Sequence, residues 1–388
     1  MMRRIYLDNN ATTPVLPEVL EAMRPYFGEH FGNASSIHHH GQETRAAVER
    51  ARDSVAGLLG CRASEIVFTS GGTEGDNLAI SGLTSEGDHV ITSSIEHHAV
   101  LHACRHLEER GCEVTYLPVD GRSLVDPDDV RRALRPNTKM ISIMLANNET
   151  GVLQPVEEIG KIAADADIYF HTDAVQAAAK VRIDVKKIGC DVLTISGHKI
   201  HATQGVGALY VKKGTQLQPL FYGGRHERSR RAGTENVPGI VGLGKAAELA
   251  MQSFERGDGE QVAALRDRLQ QGILAQVEEA AVNGDGARRV PNTSNIYFDH
   301  VEGESMVISL DLKGLAVSTG AACSSGAIEP SHVLTAMGLR ADRARASIRF
   351  SLGKQNTADD IDFALALVPE TVARLRELSP AYRSIASM

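Results

Sequence analysis

Short apolar runs alternate with amphipathic stretches along the middle of the chain. Runs rich in Val, Ile and Leu predict strands at residues 65–70, 89–94, 114–119, 139–145, 168–172, 191–196 and 207–211. Between them, stretches such as 99–110 and 155–166 space their apolar residues three and four apart, which predicts helices. Strands that alternate with helices need crossover connections, so this pattern predicts a mostly parallel central sheet covered on both faces.

The pattern changes at Arg256-Gly257-Asp258-Gly259, where the chain becomes polar and rich in glycine. Residues 42–59, before this point, and 262–277, after it, both have a helical apolar period. Two strand-like segments, SNIYFDH (294–300) and SIRFSL (347–352), follow. We therefore predict a large domain over residues 16–257, a smaller α+β domain over 258–388, and an N-terminal segment, 1–15, that packs with the small domain.

Composition and charge exclude two classes of partner. The chain of 388 residues has a formal net charge of −8 and no Trp, which argues against a nucleic-acid partner. No apolar run approaches the roughly 18 residues of a membrane span. The start, MMRRIYLDNNATTP, lacks the apolar core of a signal peptide, so we expect a cytoplasmic protein with no membrane partner.

One of the five cysteines has a different setting from the others. Cys323 lies in STGAACSSGA (318–327), a stretch of small residues, whereas Cys61, Cys104, Cys112 and Cys190 fall near or within apolar elements and are expected to be buried. No CxxC spacing is present, so neither a disulfide framework nor a structural metal site is expected. A mobile thiol can ionise and attack sulfur, but from its sequence setting alone an inert thiol is the better interpretation of Cys323.

Three polar clusters follow predicted strands, the place where open α/β sheets bind ligands. SGGTEGDN (70–77) offers glycines, a hydroxyl and a helix N-terminus to an anion. HTDAVQ (171–176) and SGHKIH (196–201) place Asp173 and Lys199 at strand ends. Each cluster alone is also consistent with a structural interpretation: a tight turn at 70–77, a helix cap at Asp173 and a solvated side chain at Lys199. Jointly they are a phosphate cradle, an acid for a ring nitrogen and an amine nucleophile, which pyridoxal phosphate (PLP) requires.

Further motifs give the chain a family resemblance that runs nearly from end to end. It resembles the NifS-type cysteine desulfurases, which are class V aminotransferase-like enzymes of PLP fold-type I. The motifs that carry the resemblance are YLDNNATTP (6–14), FGNASS (31–36), TSGGTE (69–74), EHHAV (96–100), ANNETG (146–151), HTDAVQ, SGHK (196–199), RRAGTEN (230–236), ACSSG (322–326) and EPSHVL (329–334).

The resemblance implies an α/β fold of the PLP-dependent transferase type and two groups of residues that hold the cofactor. At the ring, Asp173 pairs with the nitrogen, Gln176 and Asn148 lie at the phenolic oxygen, and His97 stacks on the face. Lys199 forms the covalent bond to PLP and shuttles the Cα proton. The phosphate is held by Gly72, Thr73, Ser196, His198 and, from the second subunit of a homodimer, Thr234.

The resemblance also implies the reaction. Asn33 and Arg349 clamp the carboxylate of L-cysteine, and Cys323 takes its sulfur as a persulfide while L-alanine is released. The acceptor it implies is an iron–sulfur scaffold of the NifU or IscU kind. The end of the chain, SPAYRSIASM, lacks the longer tail of housekeeping members, which favours a NifU-like partner.

Some residues depart from the family pattern. Ala202-Thr203-Gln204 replaces the usual Gly-Pro-Lys or Ala-Pro-Lys, and His226 replaces a glutamine, from which we expect tuning of activity and no loss. The run His38-His39-His40 lacks the carboxylate or cysteine pattern of a metal site, so no metal is expected. The alternatives that remain are a selenocysteine lyase or transaminase on the same fold, with Cys323 incidental, and a non-catalytic docking protein for sulfur transfer.

Overall fold

The computed structural model describes residues 3–320 and 330–378, so Cys323 and the rest of 321–329 lie outside the described residues. The strands are β1 (Ile5–Tyr6), β2 (Ile66–Thr69), β3 (His89–Ser93), β4 (Glu113–Leu117), β5 (Thr138–Ser142), β6 (Tyr169–Asp173), β7 (Val192–Ser196), β8 (Gly207–Val211), β9 (Ala280–Val282), β10 (Thr293–Phe298), β11 (Leu315–Ala316) and β12 (Ser347–Ser351).

Helices connect and cover these strands. They are α1 (Pro17–Met23), α2 (His39–Leu59), α3 (Gly72–Leu83), α4 (His98–Glu109), α5 (Pro127–Ala133), α6 (Val156–Asp165), α7 (Val185–Ile188), α8 (Val237–Arg256), α9 (Asp258–Gln276), α10 (Gly303–Leu312), α11 (His332–Ala336), α12 (Ala341–Arg345) and α13 (Ala358–Leu378). Short 3₁₀ turns lie at Arg24–Phe27, Ala63–Glu65, Gly197–Lys199 and His226–Ser229.

The central sheet has seven strands in the order β2-β8-β7-β6-β5-β3-β4. Strands β3 to β7 pair in parallel, and β8 runs antiparallel to both β7 and β2. All the strands predicted between residues 65 and 211 are present, and the α/β class is confirmed. Most of their residues are buried, because helices cover both faces of the sheet.

A second, smaller sheet lies in the C-terminal third, with β10 between β9 and β12 in antiparallel pairing. It has its own apolar core, which includes Phe298, Phe350 and residues of α9, α10 and α13. The N-terminal strand β1 pairs in parallel with β11. The N-terminal segment therefore contacts the C-terminal part of the chain, while the exact domain boundaries stay a prediction.

The polar, glycine-rich stretch at 256–259 is a junction between two helices and contains no linker loop. Helix α8 ends at Arg256 and α9 begins at Asp258, with Gly257 alone between them. Gly257 has φ +76°, a left-handed conformation that ends α8 and that side chains with a Cβ rarely adopt. The composition indicates a break here but does not predict how short the turn is, and that this break is a domain boundary stays a prediction.

Three of the cysteines expected to be inside are buried, namely Cys104, Cys112 and Cys190. Cys61 is only partly buried, so that expectation was wrong for this residue. It follows Gly60, the left-handed residue that ends α2, and so lies at the end of the helix and not along its buried face. Over residues 3–320 and 330–378, no helix is long and apolar enough to cross a bilayer. The cytoplasmic location stays a prediction.

Candidate active site

A cavity of about 340 Å³ opens where β5, β6 and β7 end, next to the start of α3. This volume lies in the range of small-molecule and cofactor sites. Ten of the residues selected from the sequence line it: Gly72, Thr73, His97, Asn148, Asp173, Gln176, Ser196, His198, Lys199 and Arg349. The remaining wall consists of Asn10, Ala11, Asp76, Met144, Ala146, Val175, Ser318 and Gly320.

One end of the cavity is suited to a phosphate. Helix α3 has 12 residues and starts at Gly72, so the free N–H groups of its first turn lie at the wall. A Cβ on Gly72 would come within 2.8 Å of the Val175 side chain, which shows how closely this turn packs against the end of β6. A Cβ on Gly207 would likewise lie 2.7 Å from the Cα of Gly71. These two glycines therefore allow the turn to sit directly on the sheet edge.

Lys199 lies at the end of β7 with its amine directed to the N-terminal segment. Its Nζ donates to the backbone oxygens of Asn10 and Ala11, each at 2.6 Å. Burial, assisted by the Arg349 charge, lowers the pKa of Lys199 to about 8. Near neutral pH, part of the population thus has an uncharged amine, which is the form that attacks a carbonyl carbon.

Asp173 lies at the end of β6, only 6% exposed, and its Oδ1 accepts a hydrogen bond of 2.8 Å from the Val175 N–H. Burial, with a contribution from Asp76, raises the pKa of Asp173 to about 8. A cation beside this carboxyl would bring the pKa down again, because opposite charges favour the ionised form. A protonated ring nitrogen is such a cation, so this wall of the cavity fits a pyridinium.

His171 and Asp76 extend the polar cluster below Asp173. His171 is fully buried, with Nδ1 at 2.8 Å from the Ser142 hydroxyl and Nε2 at 3.1 Å from the Thr194 hydroxyl. Burial lowers the pKa of His171 to about 4, which keeps the ring neutral. The Oδ1 atom of Asp76 is 3.5 Å from the same Nε2 and has no hydrogen bond among the described residues.

Asp76 should make the stability of the apoprotein depend on pH. Burial raises its pKa from 3.8 to about 7, so the folded state holds a proton that the unfolded chain releases. This stabilising effect is complete below about pH 4 and is lost as the pH rises towards 7. We expect the stability advantage of Asp76→Asn over the wild type to grow by roughly 2–3 kcal/mol between pH 5 and pH 8.

Urea unfolding of both apoproteins at several pH values measures this difference. Asp126→Asn, at the exposed cap of α5, is the control and should show no such growth. A constant difference between Asp76→Asn and the wild type over this range would contradict a raised pKa at Asp76.

Arg349 and His97 lie elsewhere on the wall. Arg349, on β12, donates to Asp8 Oδ1 at 2.7 Å and to the Asn148 carbonyl at 3.0 Å, while its buried Nε has no partner among the described residues. His97 caps α4, with its Nδ1 accepting from the Ala99 N–H. Burial and the Lys199 charge lower the pKa of His97 to about 4, so it is a neutral aromatic ring suited to stacking.

Two of the selected residues, Asn33 and Thr234, are exposed and do not lie on the wall that the described residues form. The Asn33 side chain accepts from the Ser35 N–H at 2.9 Å, within its own turn. The Thr234 assignment concerns the second subunit of a dimer, and Asn33 lies off this wall in its own chain. Both assignments stay predictions.

The departures from the family pattern lie off the cavity wall as well. Ala202 is buried and His226 is next to Glu227, whose carboxylate accepts two hydrogen bonds, of 2.7 and 2.8 Å, from Arg52. His38 caps α2 through its Nδ1. The histidine run therefore has a structural use at the start of a helix.

Sequence reasoning missed four residues in or beside the cavity, which are Asp8, Asn10, Asp76 and Lys180. Asp8 and Asn10 belong to YLDNNATTP, a motif noted without roles for its members. Asp76 had a readable signal, since it is a carboxylate on the apolar, inward face of α3 next to Leu78 and Ala79. Lys180 follows Gln176 by four residues, a spacing that suggests a contact.

Known proteins are similar to this chain over nearly its whole length. The class V aminotransferase model matches residues 5–363. A cysteine desulfurase IscS from Methanosarcina thermophila is 52% identical over 382 residues, which are 97% of this chain and 94% of that protein. The one from Dictyoglomus turgidum is 50% identical over 384 residues, 98% of this chain and 97% of that protein.

Solved structures give the same result. A NifS-like protein superposes with a TM-score of 0.90 at 36% identity, covering 96% of this chain and all (100%) of that one. The protein SspA, solved in complex with cysteine, has a TM-score of 0.80 and 38% identity over 91% of this chain and 99% of that one. This chain therefore belongs to the class V aminotransferase family and, within it, to the cysteine desulfurases.

Proposed function

We propose that this cysteine desulfurase holds PLP in the cavity and uses it to move the sulfur of L-cysteine to Cys323, with L-alanine as the product. The observation that carries the proposal is the convergence of a buried amine, a buried carboxylate and a helix N-terminus on one cavity. These groups match the aldehyde, the ring nitrogen and the phosphate of PLP. When bound, PLP supplies an electron sink that weakens bonds at Cα and Cβ of the substrate.

Each residue around the cofactor would have its own role. Gly72, Thr73, Ser196 and His198 would hold the phosphate, and Asp173 would keep the ring nitrogen protonated. His97 would stack on the ring, while Gln176 and Asn148 would lie at its phenolic oxygen. Lys199, with a pKa of about 8, can release and take up a proton near neutral pH, so it would move the proton at Cα.

The substrate carboxylate would bind at Arg349. Arg349 lines the cavity, and a carboxylate there can accept charged hydrogen bonds from its guanidinium. Asp8 fixes the guanidinium from the other side at 2.7 Å. This arrangement orients cysteine, and we propose that Asn33 contributes to the same clamp.

The sulfur transfer conserves atoms and electrons. The Cys323 thiolate attacks the substrate Sγ, an S–S bond forms, and the Cβ–Sγ bond breaks with its electron pair left on carbon. Cβ then takes a proton, which yields alanine and a persulfide on Cys323. Gly320, which lines the cavity, precedes Cys323 by three positions in the sequence.

The direct test is to record the absorbance of the purified protein and to incubate it with L-cysteine and, in parallel, with L-selenocysteine. We expect alanine to form and mass spectrometry to find one extra sulfur on the peptide that contains Cys323. A keto acid in place of alanine would indicate a transaminase, and turnover of selenocysteine alone would indicate a selenocysteine lyase. Absence of any PLP absorbance would revive the non-catalytic alternative.

Arg349→Lys should weaken substrate binding more than it slows chemistry. Lysine cannot reproduce the planar fork that meets Asp8, Asn148 and a carboxylate at once. A lost charged hydrogen bond corresponds to about 10- to 100-fold, which we expect in KM for L-cysteine with a smaller change in kcat. Arg343→Lys, in an ion pair with Asp299, is the control and should leave KM unchanged. An unchanged KM in Arg349→Lys would remove this residue from the substrate site.

We further propose that the protein is a homodimer in which Thr234 reaches the phosphate of the opposite subunit. Thr234 is exposed in its own chain, and so are the large apolar side chains of Phe31, Ile37 and Tyr222, at 71%, 89% and 85%. A dimer would cover such residues. Sedimentation that gives a monomer at micromolar concentration would contradict this.

For the acceptor, we propose a NifU-like iron–sulfur scaffold. This rests on the family and on the reaction, since a persulfide must be passed on before the next turnover. Transfer of ³⁵S from loaded enzyme to a purified scaffold is the test. Transfer only to a different class of sulfur acceptor would refute it.

A further inference from the structure

Asn10 forms hydrogen bonds with residues from three other parts of the chain. Its side-chain oxygen accepts from Lys180 at 2.9 Å and from Asn292 at 3.1 Å. Its side-chain amide donates to the Asn148 carbonyl and to the Thr293 hydroxyl. Its backbone oxygen accepts from Lys199 at 2.6 Å and from Gln176 at 2.9 Å. At 1% exposure, Asn10 is fixed on every side.

Lys180 is a titratable member of this network, and the proposed function gives it no role. Its Nζ donates to Gln176 Oε1 at 2.7 Å as well as to Asn10 Oδ1. Both acceptors are neutral amide oxygens, and Lys180 makes no salt bridge to a carboxylate among the described residues. Burial lowers its pKa well below the usual value, with Lys199 and Arg349 as the neighbouring charges. A lysine is a costly choice for a purely structural contact in such surroundings.

The contact between Lys180 and Gln176 fixes which end of the Gln176 amide faces the cavity. An amide has one acceptor oxygen and one donor nitrogen, and their orientation is set by the surrounding hydrogen bonds. Lys180 Nζ donates to Oε1 of Gln176, and this contact holds the oxygen end of the amide on the Lys180 side. The Nε2 group then points to the other side, where it already donates to Asn10 and has a second N–H left.

We propose that Lys180 is a positioning residue, which holds the Gln176 amide with its nitrogen towards the cavity so that it can donate to the phenolic oxygen of PLP. The inference rests on the proposed function, because it assumes that PLP occupies the cavity. Without Lys180, only the Asn10 carbonyl holds the amide, so the amide turns more easily and in part of the population presents its oxygen, which repels the phenolic oxygen. The effect of Lys180 on the cofactor therefore passes through Gln176.

The experiment compares Lys180→Met, Gln176→Ala and the double variant, each as purified holoenzyme. Loss of the hydrogen-bond donor makes the phenolic oxygen of PLP more basic, so the bound cofactor keeps its proton up to a higher pH. The pH midpoint of the bound-PLP absorbance should therefore rise. We expect a rise of about half to one pH unit in each single variant and no further rise in the double variant. The Kd for PLP, from titration of the apoproteins, should increase about 3- to 10-fold in the same non-additive way.

Lys354→Met is the matched control. Lys354 is an exposed lysine that lines a second, small cavity of about 60 Å³ together with Lys180, and it has no hydrogen bond to Gln176 among the described residues. Its midpoint and Kd should equal those of the wild type. If Lys180→Met does not fold, Lys180→Ala gives the same test, because water can enter the adjoining cavity.

The inference would be overturned if the shifts in midpoint and Kd added up in the double variant, or if Lys180→Met had the midpoint and Kd of the wild type. Lys180 would then be a structural residue, whose loss lowers only the Tm of the apoprotein. A wild-type protein that binds no PLP would instead overturn the proposed function. The two failures are thus distinguishable.

Discussion

Replacing Lys199 by alanine should lower the rate of alanine formation from L-cysteine by at least about 10³-fold, which lies within the range for loss of a general acid–base group. The variant loses the amine that bonds to the cofactor and the group that moves the Cα proton. Borohydride reduction of the wild-type holoenzyme should fix PLP on the peptide that contains Lys199, and the variant should carry no such label.

The control for this variant is Lys212→Ala. Lys212 is exposed and pairs with Asp191 at 2.9 Å, a surface ion pair worth little to stability. The Lys212→Ala variant should form alanine at the wild-type rate and carry the PLP label on the peptide that contains Lys199. A PLP label on another lysine, or a Lys199→Ala variant of wild-type rate, would contradict the proposed site as a whole.

Replacing Cys323 by alanine should abolish sulfur transfer while leaving the cofactor in place. The cavity walls that bind PLP come from other segments, so the absorbance of the holoenzyme and the Kd for PLP should match those of the wild type. Production of alanine should fall to the background rate, because no second thiol is positioned to receive the sulfur. Alanine formation and persulfide content, measured on the same sample, test this.

Cys61→Ala is the matched control for the cysteine. Cys61 is partly accessible, but burial raises the pKa of its thiol to about 12, so little thiolate is present at neutral pH. We expect this variant to retain full activity. Alanine formation at the wild-type rate in Cys323→Ala would show that the sulfur leaves by another route.

Much of the fold could be predicted from the sequence, for a clear physical reason. Strands buried on both faces are mostly apolar, as in Val192–Ile195, where Thr194 is the one polar residue, and such runs are visible without any structure. The polar residue that ends each run, such as Asp173 or Lys199, then lies at one edge of a parallel sheet. Local pattern and topology together bring these residues into one cavity.

Other features depend on contacts that no local pattern encodes. Lys180 and Asn10 meet across 170 positions, and nothing around either residue indicates the other. Asp76 lies among apolar neighbours, but which sheet residues it would face depends on how α3 packs against β7. The single-residue turn at Gly257 was missed because composition shows a break and does not show its length. The positions of Asn33 and Thr234 relative to a second subunit cannot follow from one chain.

The ion pair between Asp8 and Arg349 joins residues that are 341 positions apart. Nearly the whole polypeptide must therefore be synthesised before the proposed substrate clamp can form. Until then, Asp8 in the N-terminal segment lacks its partner Arg349. A nascent chain held before that point has Lys199 but not the arginine. On the proposed function, such a chain would bind the carboxylate of L-cysteine only weakly.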